Sequence, residues 1–388
     1  MKKLLTTAAV CGLVVAASPA EANLDLELGG YFKGYVSYTD QDDLIVGSAE
    51  ERELDIIRNT EIHITGETTL DNGLTVGFHT EVEADGNGTD GSEVQESYAY
   101  FSGGWGRVNF GAEDGAAYLL QVAAPSADSN VDGLRQYVNP VNYGSTLSVF
   151  DVNSTSTSLA GGIGGVDYDQ DITGYSDKLT YLSPIMNGFQ LGLTYAPDVA
   201  DDSDEDAENF DDVDDALGSA YEAALRYEGT FNNVGFTLGA GYSHADLEAG
   251  DIDGAGDDFT DDQTAWNIGA DLDIGPFGIG VSYSEDDLGE ADVDGVAGGE
   301  TFDGIDTLVV GVDYTTGPFK LGASYLDGEI DLSSALPSYD IDRYSGGVVY
   351  TYGPGMTFRG SVHHIEHEVS SALDLEATSI MLGTQINF

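Results

Sequence analysis

The chain has 388 residues, and its 70 acidic against 12 basic side chains give a net charge of −58. A protein this acidic repels phosphate backbones, which excludes nucleic acids as partners. Beyond the N-terminal segment no apolar run is long enough for a transmembrane helix, and the 52 glycines and 22 tyrosines favour strands and turns. A membrane β-barrel stays possible, because only every second residue of its strands meets lipid.

The N-terminal segment has the three parts of a secretory signal peptide. Lys2 and Lys3 are basic, residues 4–17 form a short apolar run, and Ala20-Glu21-Ala22 is a small-x-small cleavage site. We therefore expect residues 1–22 to be removed, leaving 23–388 as the mature chain. The single cysteine, Cys11, lies in the removed part, so disulfides, thiolate metal sites and a cysteine nucleophile are excluded.

Four later segments repeat the pattern aromatic-x-aliphatic-x-aliphatic-x-Tyr. They are 189–195, 236–242, 277–283 and 319–325. Side chains two residues apart share one face of a strand, so each segment presents an apolar stripe roughly 20 Å long with an aromatic ring at both ends. Such a stripe suits a lipid-facing band between two aromatic girdles. A soluble β-sandwich also alternates, so this pattern alone leaves both folds open.

Short turns and long, mostly acidic connections alternate along the whole chain. The predicted strands are 24–38, 54–69, 74–83, 94–102, 106–111, 177–183, 189–196, 220–231, 235–245, 263–274, 277–285, 303–315, 319–327, 339–352, 356–369 and 377–388. The fourth, 94–102, supports either parity. Long loops at one end and short turns at the other are typical of outer-membrane barrels. The sequence therefore predicts an all-β, 16-stranded antiparallel transmembrane β-barrel whose third long loop is 112–176.

The placement of basic residues tests this prediction independently. A Lys or Arg facing the lipid midplane costs roughly 2–4 kcal/mol, so bases should face inwards. Opposite the apolar stripes lie Lys33, Arg107, Lys178, Arg226, Lys320, Arg343 and Arg359. Arg58 is an exception, since it shares parity with Ile56 and Ile62. Either it lies above the bilayer or a bulge at Ile56-Ile57 turns it inwards.

Three segments resemble successive hairpins of the Gram-negative general porins. They are EIHITGETTLDNGLTVGFHTEVE (61–83), QESYAYFSGGWGRVNFGAEDGAA (95–117) and SDKLTYLSPIMNGFQLGLTYAP (176–197). The final ATSIMLGTQINF, ending in Phe388, resembles the signal read by the barrel-assembly machinery. The resemblance implies a homotrimer of barrels in the outer membrane, each with its own pore, and a third loop, 112–176, that folds into the lumen and narrows it.

The resemblance also implies that loop acids oppose bases on the barrel wall across the constriction. The loop acids are Glu113, Asp114, Asp128, Asp132 and Asp151, with Asp167, Asp169 and Asp171 further along and a single loop base, Arg135. The expected wall residues are Lys33, Arg58, Arg107, Arg226, Arg343 and Arg359, together with Glu61 and His63 on the second strand. A family base would stand near Glu61 and His63, so this wall is less basic than the family pattern.

Metal and catalytic sites are weaker possibilities. His363 and His367 share one strand face and suit a transition metal, although a polar strand end near the rim is the favoured interpretation. The acidic stretches 198–215 and 290–301 suit loose Ca²⁺ binding, but neither matches a calcium-loop motif. Nucleophile elbows and phosphate-binding loops are absent from the sequence, so we expect no enzyme activity and no required cofactor.

These observations predict a passive diffusion channel for small hydrophilic solutes and ions, with modest cation selectivity. One alternative is a substrate-specific outer-membrane channel for sugars or organic acids. It is disfavoured because most aromatic residues fall on the lipid face rather than in a file along the lumen. Another is a secreted, salt-adapted β-sandwich that binds ligands, and a third is a surface barrel without a pore. Extraction from the outer membrane and measured conductance would separate them.

Overall fold

The computed structural model describes residues 24–42, 52–84, 93–141, 167–199, 216–248, 261–290, 302–332, 338–370 and 373–388. The predicted signal peptide (1–22), Asp151 and most of the acidic stretches 198–215 and 290–301 lie outside these residues. Within the described ranges, no helix is both long and apolar enough to cross a membrane.

Across the described residues, sixteen strands form one closed antiparallel barrel. They are β1 (Asp25–Gln41), β2 (Leu54–Thr69), β3 (Thr75–Glu83), β4 (Glu93–Gly103), β5 (Gly106–Ala112), β6 (Asp177–Leu182), β7 (Phe189–Ala196), β8 (Leu217–Phe231), β9 (Val234–Leu247), β10 (Gln263–Ile274), β11 (Phe277–Asp286), β12 (Phe302–Thr316), β13 (Phe319–Leu332), β14 (Tyr339–Gly353), β15 (Met356–Ser370) and β16 (Leu373–Asn387). A short helix, α1 (Ala116–Leu119), follows β5, and a 3-10 turn (Leu288–Glu290) follows β11. The predicted 16-stranded antiparallel barrel is confirmed.

Each strand pairs with its neighbours in sequence, and the ring closes where β1 pairs with β16. That last ladder runs from Tyr31↔Asn387 to Gln41↔Ala377. The backbone N–H of Phe388 donates to the carbonyl of Gly30 at 3.1 Å and extends the seam by one more bond. A closed ring leaves no unpaired edge strand, which is what a β-structure needs in a lipid environment.

The outer face carries the apolar residues that the alternation predicted. Large side chains exposed there include Leu191, Leu225, Leu238, Ile279, Val312, Leu321 and Val362. The residues that alternate with them along each strand face inwards and are small or polar. The four repeated stripes thus lie on the outside of the barrel, as expected.

The aromatic ends of these stripes pair across neighbouring strands and form two belts. Beside the short turns, Phe277 packs on Tyr314 and Phe319 on Tyr350, with ring centroids 4.8 and 4.9 Å apart. Towards the long connections, rings pair in the same way, as in Tyr195–Tyr221, Trp266–Tyr283 and Tyr325–Tyr344. Cross-strand aromatic pairs stabilise a sheet by roughly 0.2–1 kcal/mol each, and their amphipathic rings favour membrane interfaces.

The short connections are tight reversals that need positive φ. Asn232 and Asn233, between β8 and β9, have φ of 49° and 66°. Asn adopts this left-handed region more readily than other residues with a side chain, and two consecutive positive φ values produce a type I′ hairpin turn. Its twist matches that of the flanking strands, so the turn fixes their register.

A bulge lies within the fourth predicted strand, whose sequence fitted either parity. Glu81 pairs with Glu96, but the next residue of β3, Val82, pairs with Val94, which leaves Gln95 as an extra residue. An extra residue switches the faces of all side chains on one side of it. From Glu96 onwards one parity holds, with Tyr100 buried and Phe101 exposed, and the opposite parity holds before Gln95.

Arg58 points outwards, and the predicted role of this residue in the pore wall is wrong. The register of β1 with β2 runs without a shift from Asp25↔Glu67 to Tyr38↔Leu54, so the bulge considered at Ile56-Ile57 is absent from these described strands. Arg58 pairs with Gly34 and shares its face with Ile56. Strict alternation over this ladder leaves it no other direction.

Several strands extend beyond their predicted ends on the side of the long connections. β8 begins at Leu217, β13 continues to Leu332, and β16 spans Leu373–Asn387. The extensions of β13 and β16 contain acidic residues, which hid them from a search for apolar stripes, whereas that of β8 is the short run Leu217-Gly218-Ser219. Backbone pairing requires only a partner strand, so a ladder can continue beyond the lipid-facing band.

An apolar core lies inside the barrel, near the long connections. It joins inward side chains of β7 to β16, including Ala220, Ala265, Leu326, Ile341 and Ile365, to Tyr168 and Ile172 of the connection before β6. All of these are at least nine-tenths buried. On this side the interior is packed rather than filled with water.

Candidate pore lining

Two described parts of the connection between β5 and β6, residues 113–141 and 167–176, contact the inner face of the barrel; together we name them the inner segment. Glycines on the inner face allow its close approach. A Cβ atom on Gly311 would lie 1.9 Å from the carbonyl oxygen of Pro125, and one on Gly322 would lie 2.5 Å from the backbone nitrogen of Ala127. Such distances exclude any side chain, so these glycines form a track for the chain.

Two carboxylates fix the inner segment to bases on the barrel wall. Asp132 Oδ1 lies 2.9 Å from Arg343 Nη2, and Asp128 Oδ1 lies 2.5 Å from Arg359 Nη1. The hydroxyl of Tyr35 also donates to Asp128 at 2.9 Å. Arg343 and Asp132 are 0% and 4% exposed, so this pair is fully removed from water.

Arg135 organises the acids within the inner segment itself. Its guanidinium lies 3.0 Å from Asp114, 3.0 Å from Asp169 and 2.6 Å from Asp171, and it stacks 4.3 Å from the ring centre of Tyr118. Burial raises the pKa of Asp114 to about 7 and that of Asp169 to about 6, and the Arg135 charge limits both rises. One base thus holds together a cluster of acids that would otherwise repel one another.

Glu113, at the start of the inner segment, is buried beside β5. Its Oε1 accepts a hydrogen bond from the Asn109 amide at 2.5 Å. Lys178 donates to the backbone carbonyls of Glu113 and Gly174, with the second at 2.6 Å. Burial raises the pKa of the Glu113 carboxyl to about 7, although the Asn109 amide and nearby bases oppose the rise.

These contacts change the expected electrostatics of the constriction. The resemblance implied that loop acids such as Asp128 and Asp132 would face wall bases, above all Lys33 and Arg107, across the constriction, whereas the structure pairs them with Arg359 and Arg343. In the structure they touch, because a buried charge costs several kcal/mol unless a counter-charge and hydrogen bonds compensate it. Among the described residues, these acids and bases therefore neutralise one another in contact pairs at the wall.

Other wall bases are shielded as well. Lys33 is 3% exposed, and its Nζ lies 3.6 Å from the ring centre of Tyr31 and 2.9 Å from that of Tyr137. The guanidinium of Arg107 stacks 4.0 Å from the ring centre of Tyr100. Aromatic faces attract cations by roughly 0.5–2 kcal/mol, and they also separate these charges from the interior water.

The remaining wall base predicted for the site, Arg226, is held by two acceptors. It donates to the carboxylate of Glu228 at 2.9 Å and to the backbone carbonyl of Gln121 at 3.1 Å. Lys320, on β13, pairs with Asp313 at 3.2 Å. Both positions face inwards, as predicted.

The inner face of β2, β3 and β4 is different, because carboxylates there stay partly open to the interior. Glu81 is about one-fifth exposed, and Glu96 is half-buried on the same face. Glu61 accepts from the hydroxyl of Tyr31 and from His63 Nε2 at 3.1 Å. A cavity of about 660 Å³ reaches this wall and is lined by Tyr31, His63, Thr65 and His79, among others.

His363 and His367 are buried, and each forms hydrogen bonds with different side chains. His363 forms hydrogen bonds of 2.9 Å with Ser345 through Nδ1 and with Ser361 through Nε2. His367 bonds the hydroxyl of Tyr339 through Nδ1. Among the described residues, these two histidines belong to no group of three ligand-type side chains within 4.8 Å. The possible transition-metal site at His363 and His367, which the sequence already disfavoured, therefore gains no third ligand among these residues.

Sequence reasoning missed His79, Glu81 and Tyr137 as lining residues. A signal for His79 and Glu81 was present in the sequence. Alternation from His63 across the turn at residues 70–74 places His79 and Glu81 on the same face as His63. Tyr137 carried no such signal, because it lies in a connection without periodicity. Its position depends on how the inner segment folds.

Comparisons with known proteins agree on the family and the fold. A family model described as Gram-negative porin matches residues 6–368. Uncharacterised proteins of Rickettsia conorii and Rickettsia felis are each 24% identical over 216 residues, which is 52% of this chain and 49% of theirs. The chain thus spans about half the length of the curated relatives it matches.

Solved structures share the barrel over nearly the whole chain. An anion-selective porin from Comamonas acidovorans has a TM-score of 0.60 at 15% identity, covering 94% of this chain and 100% of its own. OmpT, an outer membrane protein of Vibrio cholerae in its trimer form, has a TM-score of 0.58 at 14% identity, covering 95% and 100%. At these identities the likeness concerns the fold alone.

Proposed function

Because the chain belongs to the Gram-negative porin family and forms a barrel channel of the outer membrane, we propose that it is a passive, cation-selective diffusion pore for small hydrophilic solutes. One observation carries the selectivity. The wall bases of the described strands are ion-paired, hydrogen-bonded or covered by tyrosine rings, whereas the carboxylate of Glu81 stays about one-fifth exposed on the inner face. Fixed negative charge on an open wall enriches cations beside it.

The inner segment supplies the narrowing in this proposal. It contacts the glycine track, Arg343 and Arg359, and also Tyr35 of β1, and in this proposal the water-filled path runs along the partly exposed face of β2 to β4. The cavity beside His63 and His79 supports that placement. Solute size would then be limited by the distance between the inner segment and the acidic wall.

Reversal potentials in planar bilayers test the selectivity. With a tenfold KCl gradient, we expect a potential of the sign that indicates excess K⁺ permeability. Glu81→Gln should move it towards zero, because one wall charge is lost, whereas Asp71→Asn, on the exposed turn between β2 and β3, should change it less. A potential of the opposite sign in the wild-type protein would refute the proposal.

We also propose that the protein assembles as a homotrimer. Support comes from the trimer form of the Vibrio cholerae relative and from Arg58, whose outward position on β2 would be costly against lipid. A neighbouring subunit would provide a polar surface there. Light scattering on detergent-purified protein should give three chains per particle, and a monomer would contradict this.

The acidic composition of the long connections left loose Ca²⁺ binding as an expectation, and it remains a proposal. Carboxylates are the ligands that Ca²⁺ prefers. Calorimetry with Ca²⁺ should show several weak sites per chain, and the absence of heat would remove this idea without affecting the pore.

A further inference from the structure

We propose that the β2–β3 hairpin binds one transition-metal ion, of the Zn²⁺ class, on the pore wall through His63, His79 and Glu81. Ligand atoms of these three side chains lie within 4.8 Å of one another. His63 Nδ1 is 3.3 Å from Glu81 Oε1, and His79 Nε2 is 2.8 Å from the same oxygen. The three donors thus converge on one point.

The strand register produces this convergence. His63 of β2 stands directly opposite Glu81 of β3, and His79 precedes Glu81 by two residues on the same face. Directly opposed residues and their diagonal neighbours are the closest side-chain pairs in an antiparallel sheet. Because the ladder is part of a closed barrel, the ligands are held by rigid backbone rather than by a loop, which favours binding.

Groups behind the ligands orient both imidazole rings. His63 Nε2 lies 3.1 Å from Glu61, and His79 Nδ1 lies 2.7 Å from the hydroxyl of Thr65. Each histidine therefore has a partner on one nitrogen and turns the other towards Glu81. Metal-binding histidines commonly have such a partner on their second nitrogen, which fixes the ring and raises its basicity.

The donor set selects the class of metal. Two imidazole nitrogens and one carboxylate oxygen suit Zn²⁺, Ni²⁺ or Cu²⁺, whereas Ca²⁺ and Mg²⁺ prefer oxygen ligands alone. Three protein ligands leave at least one coordination position for water. On binding, the metal replaces any proton shared between Glu81 and the facing ring nitrogens, so affinity should fall at acidic pH.

A hydrated ion can reach the site from the pore. His63, His79 and Glu81 are 26%, 17% and 20% exposed, and both histidines line the cavity of about 660 Å³. A divalent ion here would offset the charges of Glu61 and Glu81. If the acidic wall carries the cation current, as the proposed function states, a bound metal should reduce that current.

The test uses folded, EDTA-treated protein in detergent, with excess Ca²⁺ present to occupy the acidic connections. Calorimetry with Zn²⁺ should give one site per chain, and Cu²⁺ should show nitrogen hyperfine coupling in its electron paramagnetic resonance spectrum. His63→Ala/His79→Ala should weaken binding at least tenfold and remove the nitrogen coupling. Heat-modifiable gel mobility checks that the variant remains folded.

A second group of ligand-type residues, His244, Asp246 and Asp262, provides the matched control. His244→Ala should leave Zn²⁺ affinity unchanged. The proposal would be overturned if the His63→Ala/His79→Ala variant bound Zn²⁺ as tightly as the wild-type protein does. Loss of Zn²⁺ binding in His244→Ala would overturn it as well.

Single-channel K⁺ conductance with and without Zn²⁺ separates this inference from the proposed function. A decrease in wild type that is absent in His63→Ala/His79→Ala supports both. Binding of Zn²⁺ through nitrogen ligands with unchanged conductance supports the metal site and contradicts an ion path along this wall. A cation-selective conductance without Zn²⁺ binding supports the pore and overturns the site.

Discussion

Arg343 of β14 and Asp132 of the inner segment form an ion pair, with Nη2 and Oδ1 2.9 Å apart and both side chains almost fully buried. Removing one member of such a pair leaves the other charge inside the protein and costs roughly 3–5 kcal/mol. Asp132→Leu and Arg343→Met should therefore each lower the free energy of unfolding in urea. Each should also increase current noise in single channels, because the inner segment loses a fixed point.

The double variant Asp132→Leu/Arg343→Met is the control for that prediction. With both charges replaced by apolar groups, the loss of stability should be smaller than in either single variant. Additive losses would show that the two residues act independently.

The glycine track predicts an effect of a single methyl group. Gly311→Ala should displace the inner segment, because the new Cβ would overlap the Pro125 carbonyl oxygen. Measured conductance should change, and stability should fall by roughly 1–3 kcal/mol from overpacking. Gly346→Ala is the matched control, since the nearest atom to its Cβ lies 3.8 Å away. Equal behaviour of the two variants would contradict the close approach.

Tyr137 predicts a change in ion selectivity without any change in the charge of the protein. Tyr137→Ala removes the ring that covers Lys33 Nζ and opens the ammonium to the interior. The reversal potential should shift towards anions. Adding Lys33→Met should restore cation selectivity, and a shift that persists in this double variant would assign the effect to pore width instead.

Glu113 predicts how stability depends on pH. Burial raises the pKa of its carboxyl to about 7, so the folded state binds a proton more tightly than the unfolded state. Such a group lowers stability as pH rises from about 4.5 to about 7, by at most about 3.5 kcal/mol at 1.4 kcal/mol per pKa unit. Glu113→Gln should thus gain stability relative to wild type at pH 8 and match it near pH 4.

Urea unfolding at both pH values checks this prediction. Glu53→Gln, at an exposed position, should follow the wild-type pH profile. A Glu113→Gln variant that loses stability at pH 8 would show that the ionised carboxylate is stabilised in the fold.

The strands and their faces were accessible to sequence reasoning because lipid outside and water inside impose an alternation of period two. That logic placed Lys33, Arg226 and Arg343 on the inner face, and even the exception at Arg58 was visible as a conflict of parity. The bulge at Gln95 could not be located, because a run such as Ser97-Tyr98-Ala99 fits both faces. The amino-acid composition of the strand does not show that it contains one extra residue.

The site was less accessible than the fold. Whether Lys33 faces open water or lies beneath Tyr137 depends on the path of the inner segment, which has no periodic pattern. The pairing of Asp132 with Arg343 joins residues far apart in sequence, and only the folded connection brings them together. By contrast, the proximity of His63 and Glu81 follows from one hairpin register and could have been found by counting outwards from Asn72.

The seam between β1 and β16 constrains how the protein can form. Its partners, such as Tyr31 and Asn387, come from the first and the last strand of the ring, so the ring cannot close before both strands have been synthesised. Until then β1 carries a row of unsatisfied backbone donors and acceptors, which is a template for aggregation. Pairing the two ends also makes folding slow, since a whole chain must be looped first. The protein therefore needs to be kept unfolded, and protected, on its way to the membrane.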